Sequence, residues 1–104
     1  MPIDPDAITH EETGSKGRYV YSDGGAEAEM TYSRAGETLM IIDHTGVPDA
    51  FRGQGVGLAL VKRGVEDARA RGLKILPLCP FAAAQFRRHP EWADVLNAHM
   101  KAKT

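Results

Sequence analysis

Asp49-Ala50-Phe51-Arg52-Gly53-Gln54-Gly55-Val56-Gly57-Leu58 is the stretch on which the reading of this chain turns. Upstream lies the apolar run Leu39-Met40-Ile41-Ile42, and downstream an amphipathic helical pattern runs from Val56 to Ala70. The order is therefore strand, glycine-rich turn, helix. Glycines at alternate positions, separated only by Gln54 and Val56, let the backbone curl with its N–H groups pointing inward. A helix starting there adds its own unpaired N–H groups and the positive end of its dipole. Together these suit a phosphate or pyrophosphate, with Arg52 placed for a charge-assisted contact. The plainer reading is a glycine loop that caps a helix.

Spacing separates the known glycine motifs. A dinucleotide fingerprint needs Gly-x-Gly-x-x-Gly or a final alanine; counted from either glycine pair the last position is Leu58 or Leu60, so it fails. A P-loop needs Gly-Lys followed by Ser or Thr, but Leu58 follows Gly57 and the nearest lysine is Lys62. What remains is Arg-x-x-Gly-x-Gly, read as Arg52, Gly55 and Gly57.

Upstream of the loop, Tyr19-Val20-Tyr21 marks a short strand within Gly17–Asp23, and Gly24-Gly25 a hairpin turn. Ala26, Ala28, Met30 and Tyr32 alternate with Glu27, Glu29, Thr31 and Ser33, the mark of a half-exposed antiparallel strand. Glu37–Thr45 completes a three-stranded meander. Its Leu39–Ile42 run lacks alternation, which predicts a strand covered on both faces. Polar residues follow at Asp43-His44-Thr45, and Gly46 with Pro48 predicts a bulge or splay there. Met1–Lys16 reads as a mobile lead-in whose later part can join the sheet, ahead of one domain over Gly17–Thr104.

Downstream, Leu58, Val61, Val65 and Ala68 recur at helical spacing, and Gly72 ends the helix. Gly64 inside it marks close packing. Leu73–Leu78 reads as a second buried strand, so strand, helix and strand form a β-α-β unit. The fold class is α+β: a meander joined to that unit, with helices packed on the sheet. Cys79-Pro80-Phe81 opens a helix to Arg88, with Pro80 in its first turn. Cys79 at that helix N-terminus is a candidate nucleophile or proton donor, or simply a small buried residue. A last helix is expected over Glu91–Lys101, packed through Trp92, Val95, Leu96 and His99.

Bulk properties narrow the function. The chain has 104 residues, a formal charge of −1, one cysteine and four histidines. Near-neutral charge argues against a nucleic-acid binder. A single cysteine excludes an intrachain disulfide, and the histidines have no metal-ligand spacing, so no metal is expected. No apolar run reaches membrane-spanning length and no leader pattern opens the chain, so a cytoplasmic protein without membrane attachment is expected.

The loop resembles the acyl-CoA pyrophosphate loop of the GNAT superfamily of N-acetyltransferases. The likeness extends in order through His44-Thr45 to Val47, Arg52–Gly57, Cys79-Pro80-Phe81 and Arg88-His89-Pro90-Glu91-Trp92, covering most of Arg18–Leu96. It is that of a small one-domain GNAT-like branch without the usual N-terminal helices. One departure is Gly46, where that branch often carries glutamate; another is the absence near Cys79 of the tyrosine that larger members use as an acid. The resemblance implies an N-acetyltransferase using acetyl-CoA as cosubstrate. Val47, Arg52, Gly53, Gln54, Gly55, Val56 and Gly57 would hold CoA, His44 would act as base, and Cys79 would protonate the departing thiolate or accept the acetyl group. Two alternatives stay open: a CoA-binding module without turnover, and a structural domain that binds no CoA. The acceptor amine is equally open, between a protein side chain, a polyamine and a small metabolite.

Overall fold

The alternation between Ala26 and Ser33 buries one side of a strand, and the rest of the sheet is built around it. The computed structural model describes residues 7–97. Strands β1 (Thr9–Thr13), β2 (Lys16–Asp23), β3 (Ala26–Ala35) and β4 (Leu39–Gly46) form an antiparallel meander. Then come α1 (Val56–Arg71), β5 (Lys74–Pro77) and α2 (Pro80–Arg88), with short 3-10 turns at Asp49–Phe51 and Pro90–Trp92. Strand order in the sheet follows chain order, and β5 joins β4 in parallel. This is the α+β arrangement expected. Among the described residues no helix is long and apolar enough to cross a membrane.

Tyr19, Ala28, Met30 and Tyr32 are buried beneath α1, while Lys16, Arg18, Thr31 and Ser33 occupy the opposite face. The buried stripe of α1 is Gly57, Leu60, Val61, Gly64, Val65 and Ala68, at steps of three and four. Leu58, expected on that stripe, lies one position off it and is exposed. Gly64 is there for contact: a β-carbon at that position would stand 2.9 Å from the Met30 methyl.

Two expectations change. Leu39–Ile42 is not covered on both faces: Met40 and Ile42 are fully buried, but Leu39 and Ile41 are only half-buried. Apolar side chains on both sides of the strand masked a one-sided core. The later part of the lead-in does join the sheet, with β1 paired along β2 from Thr9↔Val20 to Thr13↔Lys16. Finally, the helix expected from Glu91 does not form over the described residues. After the turn at Pro90–Trp92 the chain runs along the outer edge of β5: Ile75 N–H donates to Val95 O, and Asn97 N–H donates to Ile75 O. The open edge of β5 offers this segment backbone partners that a lone short helix would lack. Trp92 and Val95 are buried as expected; His99 and Lys101 lie outside the described residues.

A polar cluster ties β1 to the rest. The Tyr32 hydroxyl donates to Glu12 Oε1 at 3.0 Å and also meets His10 Nε2; the Tyr19 hydroxyl donates to Asp67 Oδ2 at 2.9 Å. Arg34 and Arg71 close on Glu12, and the His10 ring stacks on Tyr19 at 4.4 Å. Burial raises both phenols, Tyr32 to about 12. Burial also holds the His10 pKa below its ordinary value, against the pull of Asp67 and Glu12.

The sign of the linkage follows. The unfolded chain takes up the His10 proton more readily than the folded one, so stability is complete above the ordinary histidine pKa, about 6.5. It declines as pH falls from there through the lowered folded value. His10→Phe, which keeps a ring over Tyr19, is expected to flatten that decline. Urea midpoints measured on both proteins between neutral pH and about pH 5 would show parallel losses if His10 were not the group responsible.

Candidate active site

Pairing between β4 and β5 ends at Ile42↔Pro77. Beyond it the N–H groups of Leu78 and Cys79 both donate to Ile42 O, at 3.1 and 3.2 Å, and the chain turns into α2. β4 continues to Gly46 on its other partner, β3. The two strands therefore part, leaving a wedge between Asp43–Gly46 and Leu78–Cys79.

A bulge sits at the start of that wedge. Thr31 pairs with His44 and Tyr32 with Ile42, so Asp43 is the extra residue. The irregularity expected at Gly46 and Pro48 thus falls earlier, and Gly46 still pairs with Glu29. The bulge decides the faces. His44 stands opposite Thr31 on the face away from α1, whereas Thr45 stands opposite Met30 on the α1 face. Thr45 Oγ1 lies 3.5 Å from Cys79 Sγ. His44 and Cys79 are therefore on opposite faces of β4 and do not touch. A β-carbon on residue 46 would come within 3.2 Å of His44 Nε2. The missing glutamate and the His44 ring would compete for one space.

Cys79 is buried and stands at the start of α2 as its N-cap residue. Burial pushes its thiol up, but the Thr45 hydroxyl and the backbone N–H groups of Ala82 and Phe81 outweigh it, so the pKa lies below its ordinary value. Thr45 was not among the residues singled out from sequence, since its side is fixed only by the bulge. Thr45→Val keeps the shape and removes the hydroxyl, so the Cys79 pKa is expected to rise. Thiolate absorbance of this single-cysteine chain, followed against pH, would read the shift; an unmoved titration would deny the Thr45 contact its role.

The glycine loop is built from tight turns. Gln54 N–H donates to Phe51 O at 3.1 Å, and the Gln54 amide reaches back to Ala50 O at 3.2 Å. Phe51 is buried and anchors the loop against Tyr21, ring centroids 5.2 Å apart. Gly53 and Gly55 have φ of +78° and +74°, in the left-handed region, with open space where side chains would project. Gly55 is the N-cap of α1. No side chain caps that helix and no acid lies in its first turn. Its leading N–H groups are thus left to a ligand or water. Arg52 pairs with Asp49 at 3.0 Å, but both are strongly exposed, and such a pair is worth no more than about 1 kcal/mol. The guanidinium is easily redirected.

Gly57 plays a different part from its two neighbours. A β-carbon there would lie 2.7 Å from Phe81 Cζ and 3.4 Å from Val47 Cγ2, so this glycine admits the Phe81 ring. Among the described residues, Val47, Leu58, Leu78 and Phe81 are the large apolar side chains left exposed, and Val47 and Phe81 both lie against Gly57. Wedge, loop, uncapped helix and low-pKa thiol come together at one end of β4. His44 faces the other side.

A family model described as GCN5-related N-acetyl-transferase matches residues 18–95. The fold is also similar to the NMR solution structure of a GCN5-like candidate N-acetyltransferase from Staphylococcus aureus, at 35% identity and a TM-score of 0.65. That match covers 88% of this chain and 89% of the other. With the strand, glycine loop and helix order set out above, this chain belongs to the GCN5-related N-acetyltransferase family.

Proposed function

We propose that this protein transfers an acetyl group from acetyl-CoA to an amine, the reaction for which its family is named. The observation that carries the reading is the start of α1: left-handed glycines facing open space, followed by a helix with neither a capping side chain nor a first-turn acid. Backbone N–H groups of Gly53, Gly55, Val56 and Gly57 would hold the pyrophosphate, with Arg52 turned from Asp49 to meet it; the Gln54 N–H, expected to join them, is already given to Phe51 O. Val47 and Phe81 would flank the pantetheine arm in the wedge. The cosubstrate supplies an acetyl group activated as a thioester, which the amine takes with release of CoA thiol.

The chain's own groups then divide the proton work. The acceptor amine must be neutral when it attacks, and His44, on the face away from α1, would take its proton. Cys79, on the α1 face, would give a proton to the leaving sulfur, and its lowered pKa makes it a readier acid. Separation of the two across β4 favours this direct route over one through an acetylated Cys79, which would need a base beside the thiol. Calorimetric titration of the wild-type protein with acetyl-CoA tests the reading. Saturable binding of one equivalent is expected; no heat beyond dilution would overturn it.

A further inference from the structure

The two helix starts beside the wedge are joined by one side chain. Gly57 is the second residue of α1 and Phe81 the second of α2. A β-carbon on Gly57 would lie 2.7 Å from Phe81 Cζ and 3.0 Å from Phe81 Cε2, so the ring rests directly on the α1 backbone. Val47 Cγ2 approaches the same point at 3.4 Å and borders this seat. The other residues in the first turn of α2 are Pro80, Ala82 and Ala83, all of them short.

Phe81 is still 38% exposed, so its ring adds less to stability than a core phenylalanine would. Its backbone is engaged on the other side: the N–H groups of Phe81 and Ala82 point at Cys79 Sγ. The N–H groups of Leu78 and Cys79 hold the same stretch to Ile42 O. The start of α2 is therefore tied to β4 through its backbone and to α1 through one ring. Cys79 sits between those two ties.

Acetyl-CoA would have to satisfy both helix starts at once, with its pyrophosphate at α1 and its sulfur beside Cys79. The arm between them has a bounded reach, and a misplacement of about 1 Å at a reacting group can cost about 100-fold in rate. We infer that Phe81 is a positioning residue for the transfer, its ring serving as the spacer that sets the Cys79 thiol against the start of α1. The inference rests on the reading that acetyl-CoA occupies the wedge.

Alkylation of Cys79, the single cysteine, by iodoacetamide tests it, followed against pH and with or without acetyl-CoA. In the wild type, acetyl-CoA at about ten times its Kd should slow alkylation about tenfold. In Phe81→Ala, calorimetry should still show acetyl-CoA bound, while protection falls below about twofold and the pH midpoint rises toward the ordinary thiol value of about 8.5. Gly57→Ala, which drives the ring from its seat, should do the same. Adding Phe81→Leu, which makes room for the new methyl, should restore protection. Full protection with an unmoved midpoint in Phe81→Ala would overturn the inference, as would a double variant no better than Gly57→Ala. If circular dichroism shows Phe81→Ala unfolded, the Gly57→Ala pair decides alone. A wild type that binds acetyl-CoA without shielding Cys79 refutes the role of Phe81 only, whereas one that binds no acetyl-CoA refutes the reading of the glycine loop.

Discussion

Gly55→Asp is expected to abolish acetyl-CoA binding while Gly55→Asn keeps much of it. Both replacements meet the same backbone demand, a φ of +74°, and Asn and Asp are the side chains that tolerate it best. Neither meets a steric obstacle, because a β-carbon at this position has nothing within 4 Å. The two variants thus differ in one negative charge placed where the pyrophosphate would sit. At an effective dielectric of about 20 and a separation of about 5 Å, each pair of unit charges costs about 3 kcal/mol, about two orders of magnitude in affinity. Calorimetry on both variants, with circular dichroism to confirm folding, reads the difference. Equal loss in both would mean that the side chain obstructs rather than repels, and equal retention would remove the loop from the binding site.

The second large effect is expected far from that loop. Gly17→Ala should destabilise the fold by about 3 kcal/mol, combining an overpacked core with the loss of a hydrogen bond to a charged group. Gly17 faces Tyr32 across the β2–β3 ladder, and an added β-carbon would lie 2.2 Å from Tyr32 Cζ and 2.4 Å from its hydroxyl. The ring has little room to retreat, since its hydroxyl is held by Glu12 and His10 and its face by Tyr19. Gly64→Ala is the informative contrast. There the obstacle is a flexible methionine methyl, and helix propensity returns up to about 1 kcal/mol, so that variant should be near neutral. Urea unfolding of both variants, and of Gly17→Ala combined with Tyr32→Leu, would check the cause. If the Tyr32 replacement gives no relief, the clash with that ring is not what destabilises the protein.

These two glycines mark what the sequence could and could not tell. The Gly53–Gly57 turn between strand and helix was legible because its backbone course is written in a few adjacent residues and the elements flanking them. The β3 alternation and the ends of α1 were legible for the same reason. Gly17 carried no such signal, since its constraint comes from a tyrosine on another strand. The cluster of His10, Glu12, Tyr19, Tyr32 and Asp67 was invisible likewise: Tyr19 and Asp67 are 48 residues apart. The C-terminal segment misled because Trp92, Val95 and Leu96 keep helical spacing, yet the open edge of β5 claimed their backbone. The sides taken by His44 and Thr45 were hidden for a subtler reason. One extra residue at Asp43 breaks the two-residue period, and every inference of facing beyond it fails unless the bulge is located first.

β1 has a consequence for how these molecules behave in a crowd. Among the described residues it forms one border of the sheet, and a bare border strand can recruit the border of another molecule. β1 is only five residues long and carries Glu11 and Glu12 side by side near its middle. Glu11 is held by Arg18, and Glu12 by Arg34 and Arg71 of the same chain, so an approaching strand would meet charged side chains already paired and few backbone groups to join. The same short, ion-paired strand that completes the fold therefore gives neighbouring molecules little to extend into a shared, growing sheet.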